Sequence, residues 1–173
     1  MEERELLLLG FLRREQAHGY RLNEFIERDM IACTDIKKPT AYFLLDKMAK
    51  QGWITMRETR EGNRPPRRVY RVTAKGEALY QKLLRENLAS FIAAKFPGDV
   101  GLAYADDLNA TEVLPLLAER REALVAQLKE TRQVPQHAGS LQLIVDHQLF
   151  HLENEVQWLD QVMVQFKKKA KQG

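Results

Sequence analysis

KKPTAYFLLDKMAKQGWITMRETREGNRPPRRVYRVTAKG, residues 37–76, is the stretch whose reading decides the fold. Pro39 suits a first helical position, because its missing N–H would be unpaired there anyway. Ala41, Leu44, Leu45 and Met48 then recur at helical spacing, and Gly52 is a natural left-handed stop. Trp53 to Arg60 reads as a strand, with Ile54 and Met56 alternating against Thr55 and Arg57. Glu61-Gly62-Asn63-Arg64-Pro65-Pro66 is turn chemistry, and Arg67 to Val72 returns as a second strand. Thr73 caps a further helix that carries Leu79, Leu83 and Leu84.

Two helices are expected ahead of this stretch. Residues 3–15 place Leu6, Leu9 and Leu12 about a turn apart, with Leu8 alongside. His18-Gly19 breaks that pattern, and a second helix follows from about Tyr20 to Met30, with Leu22, Phe25, Ile26 and Met30 facing inward. The order is helix, helix, helix, two-stranded ribbon, helix. This is the arrangement of a winged helix-turn-helix.

The charge is concentrated in the same place. From Lys37 to Lys75 eleven basic residues face three acids, a net charge of +8, which leaves −5 for the remainder of a chain carrying +3. A basic window in an otherwise acidic protein is the footprint of a polyanion-binding surface, although a solvated face is the plainer reading of any charge run. The local structure favours the former. A third helix of ~18 Å fits a major groove, and its N-terminal end combines Lys37, Lys38 and Thr40 with a partial positive dipole. Arg64, Arg67 and Arg68 stand on a proline-stiffened wing tip that could contact backbone or enter a minor groove.

These residues resemble the PadR-like family of bacterial transcriptional regulators, from Leu8 to about Leu84. The resemblance rests on His18-Gly19-Tyr20, on Pro39-Thr40-Ala41-Tyr42, and on Leu45, Met48 and Gly52-Trp53-Ile54. It continues through Gly62, Asn63, Arg64 and Pro65 at the wing and closes on Tyr70-Arg71-Val72-Thr73 with Gly76. It implies a DNA-binding homodimer, most often a repressor, released from its operator by a small molecule or another cue. Tyr42 matches the family's recognition-helix tyrosine, and Thr40 the threonine two positions earlier. Ala41 stands where leucine is common and Pro39 where glycine is common, changes that leave the fold intact and bear on the operator sequence.

After Phe96-Pro97-Gly98-Asp99 the composition turns acidic. Asn109-Ala110-Thr111-Glu112 has capping-box spacing and starts a helix to about Thr131, with Pro115 near its start. Val134-Pro135-Gln136 breaks the chain, and Gly139-Ser140 opens the last helix. Val145, Leu149, Leu152, Val156, Leu159, Met163 and Phe166 are spaced 4-3-4-3-4-3 along it, a heptad seam. Leaving that stripe wet would cost on the order of 10 kcal/mol. We expect it to pack on the preceding helix, whose Leu114, Leu117, Leu124 and Leu128 also need burial, and on a symmetry mate. A two-fold dimer would place two recognition helices about one DNA turn apart. Lys167, Lys168, Lys169 and Lys171 read as a frayed, solvated end.

The expected architecture is therefore mostly α, in three parts. Residues 1–95 form a winged helix-turn-helix DNA-binding domain with a two-stranded β wing. Residues 96–110 form a connector, and residues 111–173 an antiparallel helical dimerisation domain. Lys37, Lys38, Thr40, Tyr42 and Lys47 would meet the major groove and its phosphates, with Arg64, Arg67 and Arg68 on the wing. The partners implied are double-stranded DNA, a second copy of the chain and a small aromatic effector. Phe91, Phe96, Tyr104, Phe150 and Trp158 could line a cavity for that effector, although each also suits an ordinary core.

Other chemistry is sparse. The single cysteine, Cys33, excludes an intramolecular disulfide and suits a reducing, cytoplasmic setting. Cys33 precedes the third helix, so its oxidation could disturb DNA binding; a lone cysteine is more often inert. No apolar run approaches the ~20 residues of a membrane span. His147, His151 and Glu155 share a helix face, but without a fourth ligand they read as polar surface rather than a metal site. There is no Gly-rich phosphate loop, nucleophile elbow or paired-carboxylate setting, so neither an enzyme nor a cofactor is expected. The competing class is a winged-helix adaptor that binds a protein through its last helix, and such an adaptor has no need of a basic wing.

Overall fold

A computed structural model describes residues 2–14, 17–18, 36–60 and 67–171. The expected second helix, Cys33, the wing turn and Arg64 lie outside the described residues. The chain divides into two compact units, Met1–Ala93 and Ala94–Gly173.

In the first unit α1 spans Glu2–Arg14, β1 Ala17–His18, α2 Lys38–Lys50, β2 Ile54–Thr59, β3 Arg67–Val72 and α3 Ala74–Ala89. The core is built where the apolar periodicity places it. Leu8, Leu9, Phe11 and Leu12 of α1 meet Ala41, Leu44, Leu45 and Met48 of α2, with Ile36, Ile54 and Tyr70 completing the cluster. Burying a side chain of this size gains ~1.5–3 kcal/mol, which is what holds α2 in place.

The sheet contains the expected two-stranded ribbon, β2–β3, extended at one edge by a short third strand. It has three strands in the order β1-β3-β2, all antiparallel, with Ala17 opposite Tyr70 and His18 opposite Val69. A two-residue strand carries no alternation to read; the exposed edge of β3 recruits it by backbone hydrogen bonding. On the other side β2 pairs with β3 from Ile54–Val72 to Thr59–Arg67.

The end of α2 and the start of α3 are tied together. Gly52 takes φ +73°, the left-handed conformation that ends α2. The Thr73 hydroxyl donates to the Gly52 carbonyl at 2.7 Å and accepts from the Gly76 N–H at 3.1 Å, capping α3 as the sequence predicts. Gly76 is needed for close approach, since a Cβ there would lie 1.9 Å from the Trp53 carbonyl oxygen. Lys75 adds a bond to the Gln51 carbonyl at 2.9 Å, at the negative end of α2.

In the second unit the segment expected as a connector forms short helical turns at Pro97–Asp99, Val100–Ala103 and Ala105–Asp107. Next come α4, Ala110–Arg132, and α5, Ser140–Lys169. The Asn109–Glu112 capping box opens α4, which runs through Pro115 on its exposed side. Ion pairs Arg132–Glu153 and Arg121–Asp160 set α4 and α5 antiparallel. Ala105, Val113, Leu117 and Leu159 are buried between them, joined by Leu124, Met163 and Phe166. The lysine-rich end is not frayed as expected: α5 is helical through Lys169, whose ammonium lies 2.6 Å from Asp106.

Of the seven seam residues only Leu159 is fully buried. Val145, Leu149, Leu152 and Val156 are half-buried and stand apart from the buried cluster.

Candidate nucleic-acid interface

The geometry of α2 sorts its residues by face. Ala41, Leu44, Leu45 and Met48 turn inward and fix the helix on α1 and the sheet. At its N-terminal end Lys37 and Lys38 are exposed, Pro39 fills the first turn, and Thr40 is half-buried. No acid stands in that first turn, so the partial positive charge of the helix end adds to two ammonium groups. Tyr42 is half-buried and packs against the core cluster.

Two side chains of α2 behave in ways that the charge count did not reveal. Lys47, expected at the groove, turns instead to α1, where its ammonium lies 2.8 Å from the Glu5 carboxylate. Phe43, absent from the expected contacts, is 69% exposed. A large apolar ring left in water on the helix that carries Lys37 and Lys38 suits a thymine methyl in a major groove. The signal was available: Phe43 falls outside the Ala41-Leu44-Leu45-Met48 stripe.

On the wing, cross-strand register pairs Glu58 with Arg68 and Met56 with Tyr70, on the face that becomes the core at Ile54 and Tyr70. Arg68 stands 3.9 Å from Asp46 of α2 and 3.8 Å from Glu58, all three exposed. Its guanidinium is raised above its ordinary pKa, chiefly by the neighbouring Tyr70. Burial pushes the Tyr70 phenol up, partly offset by its side-chain interaction with Arg68. Arg57 and Arg71 occupy the alternate, exposed positions; the backbone places Arg67 opposite Thr59.

Residues 8–82 match the model of the transcriptional regulator PadR-like family. Over these residues the chain resembles that family. That family is one of transcriptional regulators, not a class of enzymes. Among curated proteins none matches the chain. Among solved structures, Bacillus subtilis PadR in complex with operator DNA is 20% identical, at TM-score 0.80 over 94% of this chain and 98% of that one. The same protein in complex with p-coumaric acid is 19% identical at TM-score 0.80, over 94% of this chain and 98% of that one. The Vibrio cholerae virulence activator AphA is 16% identical at TM-score 0.73, over 95% of this chain and 98% of that one. At such identities the likeness is one of fold. The PadR-like fold is mostly helical, a winged-helix unit followed by a helical one.

The residues expected around an effector divide between the two units. Phe91 lies in the first unit and is 91% exposed. In the second, Phe96 faces His151 with ring centroids 6.4 Å apart. Arg120 holds the turn that follows Phe96, donating to Gly98 O and Asp99 Oδ1, each at 3.1 Å. It also bonds Glu155 at 2.7 Å and lies over the Trp158 ring at 5.6 Å. Trp158 thus stands beside Arg120, while Phe96, Tyr104 and Phe150 are each exposed. A groove of about 380 Å³ between α1 and α3 contains none of the five; Glu2, Glu3, Leu6, Lys82, Glu86 and Ile92 line it. Among the described residues no metal-binding group occurs, and no helix is long and apolar enough to cross a membrane.

Proposed function

We propose that the chain is a sequence-specific DNA-binding repressor that acts as a homodimer on a palindromic operator and is released by a small aromatic effector. The exposed, basic N-terminal end of α2, held outward by a buried apolar face, is the observation that carries this reading. Lys37, Lys38, Thr40, Tyr42 and Phe43 meet the major groove, and the wing residues Arg64, Arg67 and Arg68 meet the backbone beside it. Lys47 leaves this contact set because Glu5 holds it. The operator complex and the p-coumaric acid complex of Bacillus subtilis PadR support DNA and an aromatic ligand as partners of a like fold. Val145, Leu149, Leu152 and Val156, half-buried on α5, supply the dimer surface. The roles of the parts follow: residues 1–95 bind DNA, residues 96–110 connect, and residues 111–173 dimerise, in a cytoplasmic protein.

The test is light scattering of the protein with fragments of DNA from upstream of its own gene, at low and moderate salt. A dimer of about 40 kDa that shifts onto one fragment and holds it at moderate salt is the expected result. A monomer, or a dimer indifferent to every fragment, would hand the lead to the winged-helix adaptor.

A further inference from the structure

Glu5 is the only buried carboxylate among the described residues. It precedes Leu8 and Leu9 by one helical turn and so shares their inward face. A carboxylate taken from water requires a partner, and Lys47 provides it at 2.8 Å. Lys47 follows Leu44 by three residues and adjoins Met48, so its stem runs along the edge of the α2 core face while its ammonium reaches α1. The preceding residue, Asp46, stands by Arg68 of the wing. Consecutive helical residues point about 100° apart, so positions 46 and 47 hold α2 from two sides.

Resting on the DNA-binding reading above, we propose that Lys47 is a positioning residue of the interface: its pairing with Glu5 fixes the roll of α2 on α1. It thereby sets which atoms of Tyr42 and Phe43 face the groove, and it meets no phosphate itself. Rolling α2 outward would strand Glu5 in the core without its counter-charge, whereas an exposed lysine could roll freely. Lys47 therefore contributes to recognition of sequence and not to the salt-dependent attraction between protein and DNA.

The experiment uses full-length protein, a duplex that the wild type selects from a randomised pool, and a random-sequence duplex. K47M, E5Q and the charge swap E5K/K47E are compared over a salt series, with thermal melts as the check of folding. K47M and E5Q are each expected to lose about tenfold in affinity for the selected duplex. Their slopes of log K against log salt should match the wild type, and the swap should recover both affinity and sequence preference. If K47M fails to fold, the swap, which keeps a pair in place, decides alone. A slope shallower by about 0.9 in K47M with E5Q unaffected would make Lys47 a direct phosphate contact and overturn the proposal. So would a swap that fails to fold or binds no better than E5Q. Wild-type protein that retains neither duplex at low salt would overturn the DNA-binding reading itself, and the inference with it.

Discussion

The guanidinium of Arg68 on the wing lies 3.9 Å from the carboxylate of Asp46 on α2, so a strand and a helix adjoining the same surface share one ion pair. Glu58, directly across the ribbon, approaches the same arginine at 3.8 Å. Exposed pairs of this kind contribute ~0–1 kcal/mol, too little to matter for folding. Their effect is on where the charge of Arg68 is spent. Asp46→Asn removes one of the two carboxylates beside Arg68 and an acid from α2. The expected result is tighter binding to random-sequence DNA, with a salt slope steeper by up to about one, read from titrations at several salt concentrations. The melting temperature should stay within a degree or two of the wild type.

Thr73 joins α2 to α3 through a single hydroxyl. Thr73→Ala removes both the cap on Gly76 and the bond to Gly52, and should cost about 1–2 kcal/mol in chemical denaturation. Thr73→Ser should recover most of that. Gly76→Ala is expected to be worse than Thr73→Ala, because the added methyl has backbone in its way at 1.9 Å and no flexible side chain to displace.

Acid should loosen both units through exposed ion pairs. Arg13, with help from Gln81, holds the Glu77 carboxyl below its ordinary 4.5, and Arg121 holds Asp160 below its ordinary 3.8. Both folded values are depressed, so the stability they add is fully present above those ordinary values and is lost as pH falls through the folded ones. Melting temperature followed from about pH 6 down to about pH 3 should fall at the acid end. The fall should be shallower in Glu77→Gln/Asp160→Asn.

The half-buried part of the α5 seam predicts an oligomeric state. Leu152→Asp places a charge on the stripe but outside the cluster around Leu159, so the α4–α5 hairpin should survive as judged by circular dichroism. Light scattering should then report a monomer. Leu159→Asp, at a fully buried position, should instead abolish folding of this unit.

The boundaries of α2 and α3 were legible because each is marked by one residue with one physical use: Pro39, Gly52 and Thr73. The heptad of α5 and the capping box of α4 were equally plain. β1 was not, since Ala17–His18 acquires strand character only from its pairing with β3. The ion-pair partner of Lys47 was illegible for a related reason. A count of charges in a window carries no direction, and the Glu5 that claims Lys47 lies 42 residues away in sequence. Its place beside Met48, on the border of the buried stripe, was the available clue. The aromatics were the least legible: periodicity gives no sign that Trp158 lies beside Arg120 while Phe96 faces His151.

The two helices of the second unit are unequal, 23 residues in α4 and 30 in α5. At ~1.5 Å per residue, α5 outruns its neighbour by ~10 Å. Changes of length in that overhang are quantised. Inserting one residue turns everything on its far side by about 100° and splits the stripe in two. Inserting seven returns the stripe to phase. A lineage carrying this hairpin can therefore lengthen or shorten its arm by whole heptads, and in the proposed dimer each such step changes the arm by ~10 Å, about a third of a DNA turn.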